Sequence, residues 1–594
     1  MASLHIFRDD GFDTINDIFE QQAIDGDTIF VHNAERPPSP PQPGGVFHRR
    51  RSGDTGELDI GVNTITVTKD LTILGLDDHG NEVKGLGVGM PIIRGSSTNV
   101  VMDQTNNVCG ILTIAPGKFV TIRGLHLKHE VLTEHGSATI FNQVDNAQAS
   151  SLTIENCKIE TMATTAISVM CISVATGSKK PHNVRVRGCQ VTGETKDSAI
   201  EEQNQGNFSS LNLGAGGVEP LEMSGSTFEI SACILDSIIL GVAAWNVRGD
   251  DSSLFLIAGN AIGEGARSPM IGVNNGTYFG TGIGVSFFSP WETLDVSPNG
   301  TIAILGNRFK IGRYFAPFVD GARVMVGAAG VLVKTEKDPP LRTIICRNII
   351  DMDLPDFKMV SPSSALYLDG IYYGCETPQP GPASSAEGGG AQSVTGFIHD
   401  NEISSDTASP ADTQLVTGIH LGPGAHLVRA TDNQLNQLKV QVDSNASRNI
   451  FVGNNFAKLA QEPDAAILCD GSQNSFCEND FTDSEITGSN SGKAVCVKLC
   501  LNSCGNVVIL EHKNVPSGPD GPDPEHQWTD ESTHIAATDE KNVVVVIPDY
   551  GDSPNLISDR WEVLYQAFKE FQFRTRHTWP IPRPGPPVAP KKIA

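Results

Sequence analysis

The sequence predicts an all-β solenoid, short strands wound into stacked coils. Three observations predict it. A ten-residue unit recurs through most of the chain. Its apolar residues alternate with period 2 and show no helical stripe. One column at a tight turn holds the same few residue types in every copy. Residues 151–160, SLTIENCKIE, display the unit: Leu152 and Ile154, a polar turn, Cys157, then Ile159. The column runs Leu125, Cys157, Cys189, Cys233, Asn260, Asn307, Asn348, Asn401, Asn433, Asn454 and Asn479. Self-similarity at a period of about 20–50 residues marks a stacked repeat, because a short strand with one apolar face buries it only against its neighbours. A residue turned inward at a corner leaves backbone groups to satisfy. Stacked Asn side chains can satisfy them and pair with one another, and Cys is a small residue that buries well.

On this column and its flanking strands the chain resembles the right-handed parallel β-helix of the pectate-lyase-like superfamily, over residues 60–510. The resemblance implies the fold. It also implies a Ca²⁺ ion held by acidic residues on an outer face, although no Arg and Asp signature of that chemistry matches here. Fold alone does not set function.

The elements follow in order. Residues 1–58 form an N-terminal cap and loop. Ile15, Ile18 and Phe19 fall at helical spacing, and a helix there would close the open end of the solenoid. A strand follows over 25–31, and 35–57 is a loop rich in Pro, Gly and Arg. The β-helix proper spans 59–510. Coil spacing is uneven, from 21 residues between Asn433 and Asn454 to 53 between Asn348 and Asn401, so the longer coils carry inserted loops at 203–226, 274–299, 313–322 and 372–392. Residues 511–594 make a linker, a C-terminal extension and a Pro-rich tail. A strand is expected over 541–548, and a helix over 559–576 with Trp561, Leu564, Tyr565, Phe568 and Phe571 on one stripe.

Composition excludes several classes. The net charge is −26 and the pI near 4.9, so nucleic acid and an anionic membrane surface are poor partners. The same charge favours a neutral glycan over a polyuronate. No signal-peptide pattern precedes the first strand and no apolar run reaches membrane length. The expectation is a cytoplasmic protein, with export by another route left open. The twelve cysteines are read as mostly reduced thiols.

No phosphate-binding loop, dinucleotide fingerprint or nucleophile elbow is present. His129-Glu130 with His135 is spaced wrongly for a zinc-protease pair and reads as a polar loop. Cys496, Cys500 and Cys504 read as a strand with buried thiols rather than a metal cluster. The informative feature is a further strand after each ladder turn, at 199–203, 330–334, 365–369, 418–422, 439–443 and 466–470 among others. Period 2 sends alternate residues outward, and successive coils stack about 4.8 Å apart. Glu201, Lys334, Tyr367, Asp369, His420, Asp443 and Asp470 therefore form outward columns. The middle loops add Trp245, Trp291, Tyr314 and Tyr372, which either stack on sugar rings or fasten the loops to the scaffold.

These residues suggest a carbohydrate-active enzyme, a glycoside hydrolase or transglycosidase ahead of a polysaccharide lyase. Glu201, Asp369 and Asp443 are the acid–base candidates. Lys334, Tyr367 and His420 would position or protonate, and Lys334 beside Asp369 is the candidate lyase pair. No metal ligands are assigned, and Ca²⁺ is the one cofactor in view. Two alternatives stand beside this reading. One is a non-catalytic glycan-binding or structural β-helix, spike- or adhesin-like, assembling as a trimer or dimer. The other is an intracellular enzyme acting on a small metabolite.

Overall fold

The structure is a computed structural model. It describes residues 2–36, 56–87, 89–97, 110–132, 137–143, 148–163, 168–175, 182–195, 207–214, 221–222, 225–237, 240–245, 247–248, 252–263, 281–287, 301–312, 318–319, 322–323, 327–335, 342–353, 367–375, 396–405, 416–459, 465–484, 495–518, 521–522, 527–532 and 542–547. The chain is a parallel β-helix. Among the described residues, three long sheets of 16, 14 and 12 strands run along its axis, and a complete coil contributes one strand to each sheet in turn. One coil shows the plan: Ser150–Glu155 in the first sheet, Lys158–Ala163 in the second and Ser168–Ala175 in the third. Leu152 pairs with Val120 below and Val184 above, so like residues stack on like.

The turn between the first and second sheets has a backbone cause. The residue before each column position takes positive φ: Gly124, Gly188, Gly259 and Gly306 do so, as do Asn156, Ala232, Arg347, Asp400 and Asp432. That left-handed step turns the next residue inward. From Asn260 onward the inward side chains bond coil to coil. Asn260 Nδ2 donates to Asn307 Oδ1 at 2.9 Å, Asn307 Nδ2 to Asn348 Oδ1 at 3.0 Å and Asn348 Nδ2 to Asn401 Oδ1 at 2.9 Å. Each also donates to a main-chain carbonyl of the coil before, as Asn348 does to Ile304 at 2.9 Å. A second row, Asn449, Asn474, Asn506 and Asn542, lines another corner of the C-terminal coils. It was not expected from the sequence.

The third sheet has its own corner, marked by small residues. Pairing runs Ala329↔Asp369 and then Val331↔Ile371, passing over Gly330 and Gly370. A Cβ on Gly370 would lie 2.5 Å from Ile403 Cγ2 and 2.7 Å from the Gly418 carbonyl oxygen. These glycines thus point into the core, where other coils place buried Thr139, Cys171, Ala466 and Cys496. Two inward residues in succession invert the alternation, so Asp369 before the corner and Tyr372 after it share the outer face.

At the N-terminal end the helix Phe12–Asp17 continues into a π-helical turn, Ile18–Gln22, and Ile15, Ile18 and Phe19 are buried in the core. An additional strand, Ser3–Ile6, precedes it and pairs with Asp27–His32. At the other end Val543–Ile547 pairs with Val507–Glu511. Strands of the first sheet therefore lie on both sides of 59–510. The expected helix at 559–576 and the tail lie outside the described residues. His126–Val131 is a strand rather than a loop, with His129 buried against the Thr139 hydroxyl at 3.1 Å. Among the described residues, no helix is long and apolar enough to cross a membrane.

Candidate functional site on the third sheet and a charged cleft on the second

The corner glycines reset the register of the outer face. Gly370-Ile-Tyr-Tyr-Gly374 stacks on Gly418-Ile-His-Leu-Gly422, pairing Ile371↔Ile419 and Tyr372↔His420. The sequence alignment placed 365–369 against 418–422, five residues early. Lys334 accordingly faces Gly374, whereas Asp369 faces Ala329. Five residues of strand, about 16 Å, separate those pairs, so Lys334 and Asp369 are not neighbours. Lys334 shares a column with Asp443 instead. The column runs Trp245↔Ser286, Ser286↔Lys334 and Lys334↔Gly374, then Gly422 and Asp443, which follow paired Leu421 and Val442. Tyr367 begins the strand Tyr367–Cys375, opposite Gly327. Glu201, Trp291 and Tyr314 lie outside the described residues.

Three of the expected residues do meet. Asp369 Oδ1 lies 3.1 Å from His420 Nδ1, and His420 Nε2 lies 3.0 Å from Asp443 Oδ2. The corner at Gly370 makes the first contact possible, since it brings a residue three positions before Tyr372 within reach of the coil above. Gln441 Nε2 donates to Asp443 Oδ1 at 3.0 Å. Asp443's own amide donates to the Leu421 carbonyl at 2.9 Å. The Tyr372 ring stands edge-on to His420, with centroids 5.0 Å apart. Tyr372 was expected in a loop, but it belongs to the strand Tyr367–Cys375 and is buried.

The electrostatics follow from burial. The side chains of Asp369 and His420 are 0% exposed and that of Asp443 is 22% exposed. Asp369 and His420 were expected to face solvent and do not. Burial alone would strip the proton from His420. The charge and hydrogen bond of Asp369, with those of Asp443, outweigh it and raise the imidazole pKa to about 10. Burial likewise pushes the Asp443 carboxyl up, yet the His420 hydrogen bond and charge, helped by Gln441, hold it below the usual Asp range. The result is an imidazolium between two carboxylates, only one of which reaches the surface. Asp470, one coil on, accepts from the Asn502 amide at 2.9 Å and from Asn502 Nδ2 at 2.8 Å, and so ties down the next turn.

These residues do not fit Ca²⁺. Hard cations need six to eight oxygen ligands, and both carboxylates here are engaged by a cation already in place. Among the described residues, no group of three or more His, Cys, Asp or Glu is arranged to hold a metal ion.

A second feature lies on the outer face of the second sheet. A cleft of about 450 Å³ is lined by Arg94, Lys128, Glu130, Glu160, Met162 and Glu194, among others. Its residues stack in register: Arg94↔Lys128 and Ser96↔Glu130, then Lys128↔Glu160 and Glu130↔Met162, then Glu160↔Thr192 and Met162↔Glu194. Sequence reasoning missed it. The signal was present, because these are alternate positions counted onward from Leu125, Cys157 and Cys189, the members of the ladder column.

No family model matches the chain, and no curated protein matches it. Among solved structures it is similar to a PL6-family polysaccharide lyase from Pseudopedobacter saltans, at 8% identity over 93% of this chain and 94% of that one, with a TM-score of 0.23. It is also similar to a mannuronic-acid-specific polysaccharide family 6 lyase from human gut microbiota, at 9% identity over 97% and 99%, with a TM-score of 0.24. At these values the likenesses carry nothing about chemistry, and the fold rests on the strand pairing itself.

Proposed function

We propose that the protein is a carbohydrate-active enzyme of glycoside hydrolase or transglycosidase type, with Asp443 as its ionised carboxylate. The observation that carries this reading is the graded chain Asp369–His420–Asp443, which begins fully buried and ends in one partly exposed carboxylate. A glycosidase needs one carboxyl group that stays ionised, as a base that activates water or as a nucleophile at the anomeric carbon. Asp443 meets that need, because a buried cation holds its charge and two donors fix its oxygens. His420 and Asp369 are positioning residues, since neither reaches solvent.

Lys334 occupies the same column as Asp443. Lys334 and Asp443 stand three coils apart, about 14 Å at one strand spacing per coil. The positions between them are Gly374 and Gly422, and the Tyr372 ring packs over Gly422, where an added Cβ would meet its hydroxyl. The net charge of −26 favours a neutral glycan over a polyuronate, which the field of the protein would repel.

The test is cleavage of a panel of neutral and uronate oligosaccharides by the full chain and by Asp443→Asn. Cleavage of a neutral glycan is expected, with kcat reduced at least 100-fold in the variant, the scale of a lost acid–base or nucleophilic group. Undiminished turnover in the variant would remove Asp443 from the chemistry. Retention of a glycan with no turnover in the unaltered protein would favour the non-catalytic binding reading instead.

A further inference from the structure

The cleft on the second sheet belongs to a different face and shares no residue with the Asp443 site. Its groups are held from behind. Glu57 accepts from Lys128 Nζ at 2.6 Å and lies 4.0 Å from Arg94, which is itself 3.8 Å from Glu130. Glu160 takes His126 at 2.9 Å and Lys158 at 2.5 Å on its other side. Those bonds hold Glu160 ionised, with its pKa lowered to about 2 against the effect of burial. His129, beneath the cleft, is buried and neutral, its pKa lowered to about 4 by burial. The floor at that point is therefore uncharged, and Met162 adds an apolar surface beside it.

The cleft presents donors and acceptors side by side, in two adjacent rows one strand spacing per step. Arg94 and Lys128 donate, whereas Glu130, Glu160 and Glu194 accept. Vicinal hydroxyl groups each offer a donor and an acceptor, and planar carboxylate and guanidinium groups can meet two of them at once. The Met162 thioether supplies a flexible, polarizable apolar surface that adapts to what lies against it. The cleft's volume of about 450 Å³ falls within the roughly 300–1,000 Å³ of ligand clefts. Groups already tethered lose little freedom when a ligand arrives. Counting Glu57, Glu130, Glu160 and Glu194 against Arg94 and Lys128, the lining carries four negative charges and two positive, a net of −2. That balance turns away uronates and phosphorylated sugars.

We propose that this cleft is a second saccharide site, one that binds a neutral, vicinal-diol-bearing sugar and takes no part in its cleavage. The proposal does not depend on the role assigned to Asp443. The bland alternative is a lattice of surface ion pairs, which contribute little to stability and bind nothing.

The experiment uses the full chain bearing Asp443→Asn, so that turnover at the other face cannot confuse the readout. Neutral gluco-, manno- and galacto-oligosaccharides, with uronate oligomers as matched anions, are titrated by calorimetry. Glu130→Gln and Arg94→Gln are then added separately. Glu130→Gln preserves side-chain shape, Arg94→Gln shortens the side chain and removes its charge, and circular dichroism checks that each folds. The expected result is binding of at least one neutral series that weakens tenfold or more in either cleft variant, with no binding of the uronates. The proposal is overturned if no neutral series binds, if both folded cleft variants bind as tightly as their parent, or if uronates bind more tightly than neutral sugars. Loss of glycan cleavage in Asp443→Asn with cleft binding retained would separate the two sites.

Discussion

Asp369→Asn probes the buried imidazolium directly. The variant keeps the shape and one hydrogen-bonding oxygen but removes a fully buried counter-charge. Breaking one side of a buried ion pair costs about 3–5 kcal/mol. The pH dependence is more diagnostic than the size. The folded-state pKa of His420 is raised from 6.5 to about 10, so its stabilisation is complete below pH 6.5 and is lost as pH climbs to 10. At about 1.36 kcal/mol per unit, the shift from 6.5 to about 10 corresponds to roughly 5 kcal/mol, falling by about 1.4 kcal/mol for each pH unit across that window. Without Asp369 the folded-state pKa drops and the slope flattens. Urea unfolding of the original chain and the variant, at about pH 6, 7.5 and 9, gives the difference in stability directly. That difference should be largest at the lowest pH and shrink steadily toward the highest. Parallel curves, with the same gap at every pH, would refute the imidazolium and leave a neutral hydrogen-bonded histidine.

Two further outcomes test the scaffold. Asn348→Ala orphans the buried Asn307 amide, which donates to Asn348 Oδ1 at 2.9 Å, and the Ile304 carbonyl, which accepts from Asn348 Nδ2 at 2.9 Å. At about 1–3 kcal/mol for each orphaned group, the loss should be about 2–6 kcal/mol by denaturant unfolding, and a loss below about 1 kcal/mol would mean that the row is ornamental. Gly370→Ala drives a Cβ to 2.5 Å from Ile403 Cγ2 and 2.7 Å from a carbonyl oxygen, and should cost about 1–3 kcal/mol as overpacking. Because Gly370 adjoins Asp369, it should also lower glycan turnover; full activity with unchanged stability would show that the corner yields freely.

The fold was legible because its marker is local. A positive-φ turn followed by an inward Cys or Asn leaves a pattern that repeats whatever the loops between do. The register of the third sheet was less legible. The strand Tyr367–Cys375 and the residues just before it hold two alternating segments in tandem, 365–369 and 370–374, and period 2 fits either. What distinguishes them is the small residue at the corner, a packing constraint visible only when Ile350 and Ile403 are seen behind Gly330 and Gly370. Outward orientation was correctly inferred for His420 and Asp369. Their complete burial was not, since alternation tells which face a residue occupies and nothing about what covers it.

The amide row has a mechanical consequence. Each Asn bonds backward to a carbonyl of the previous coil and forward to the amide oxygen of the next, as Asn307 does to Ile257 and Asn348. One residue therefore rivets three coils. The earlier coils imitate this with thiols, and their contacts are long and weak: Cys157 N to Cys189 Sγ at 3.5 Å and Cys157 Sγ to the Ile122 carbonyl at 3.8 Å. Pulled along its axis, the rod would release the coils before Asn260 one by one. The coils after it would part only in groups, giving the rod one end that frays and one that fractures.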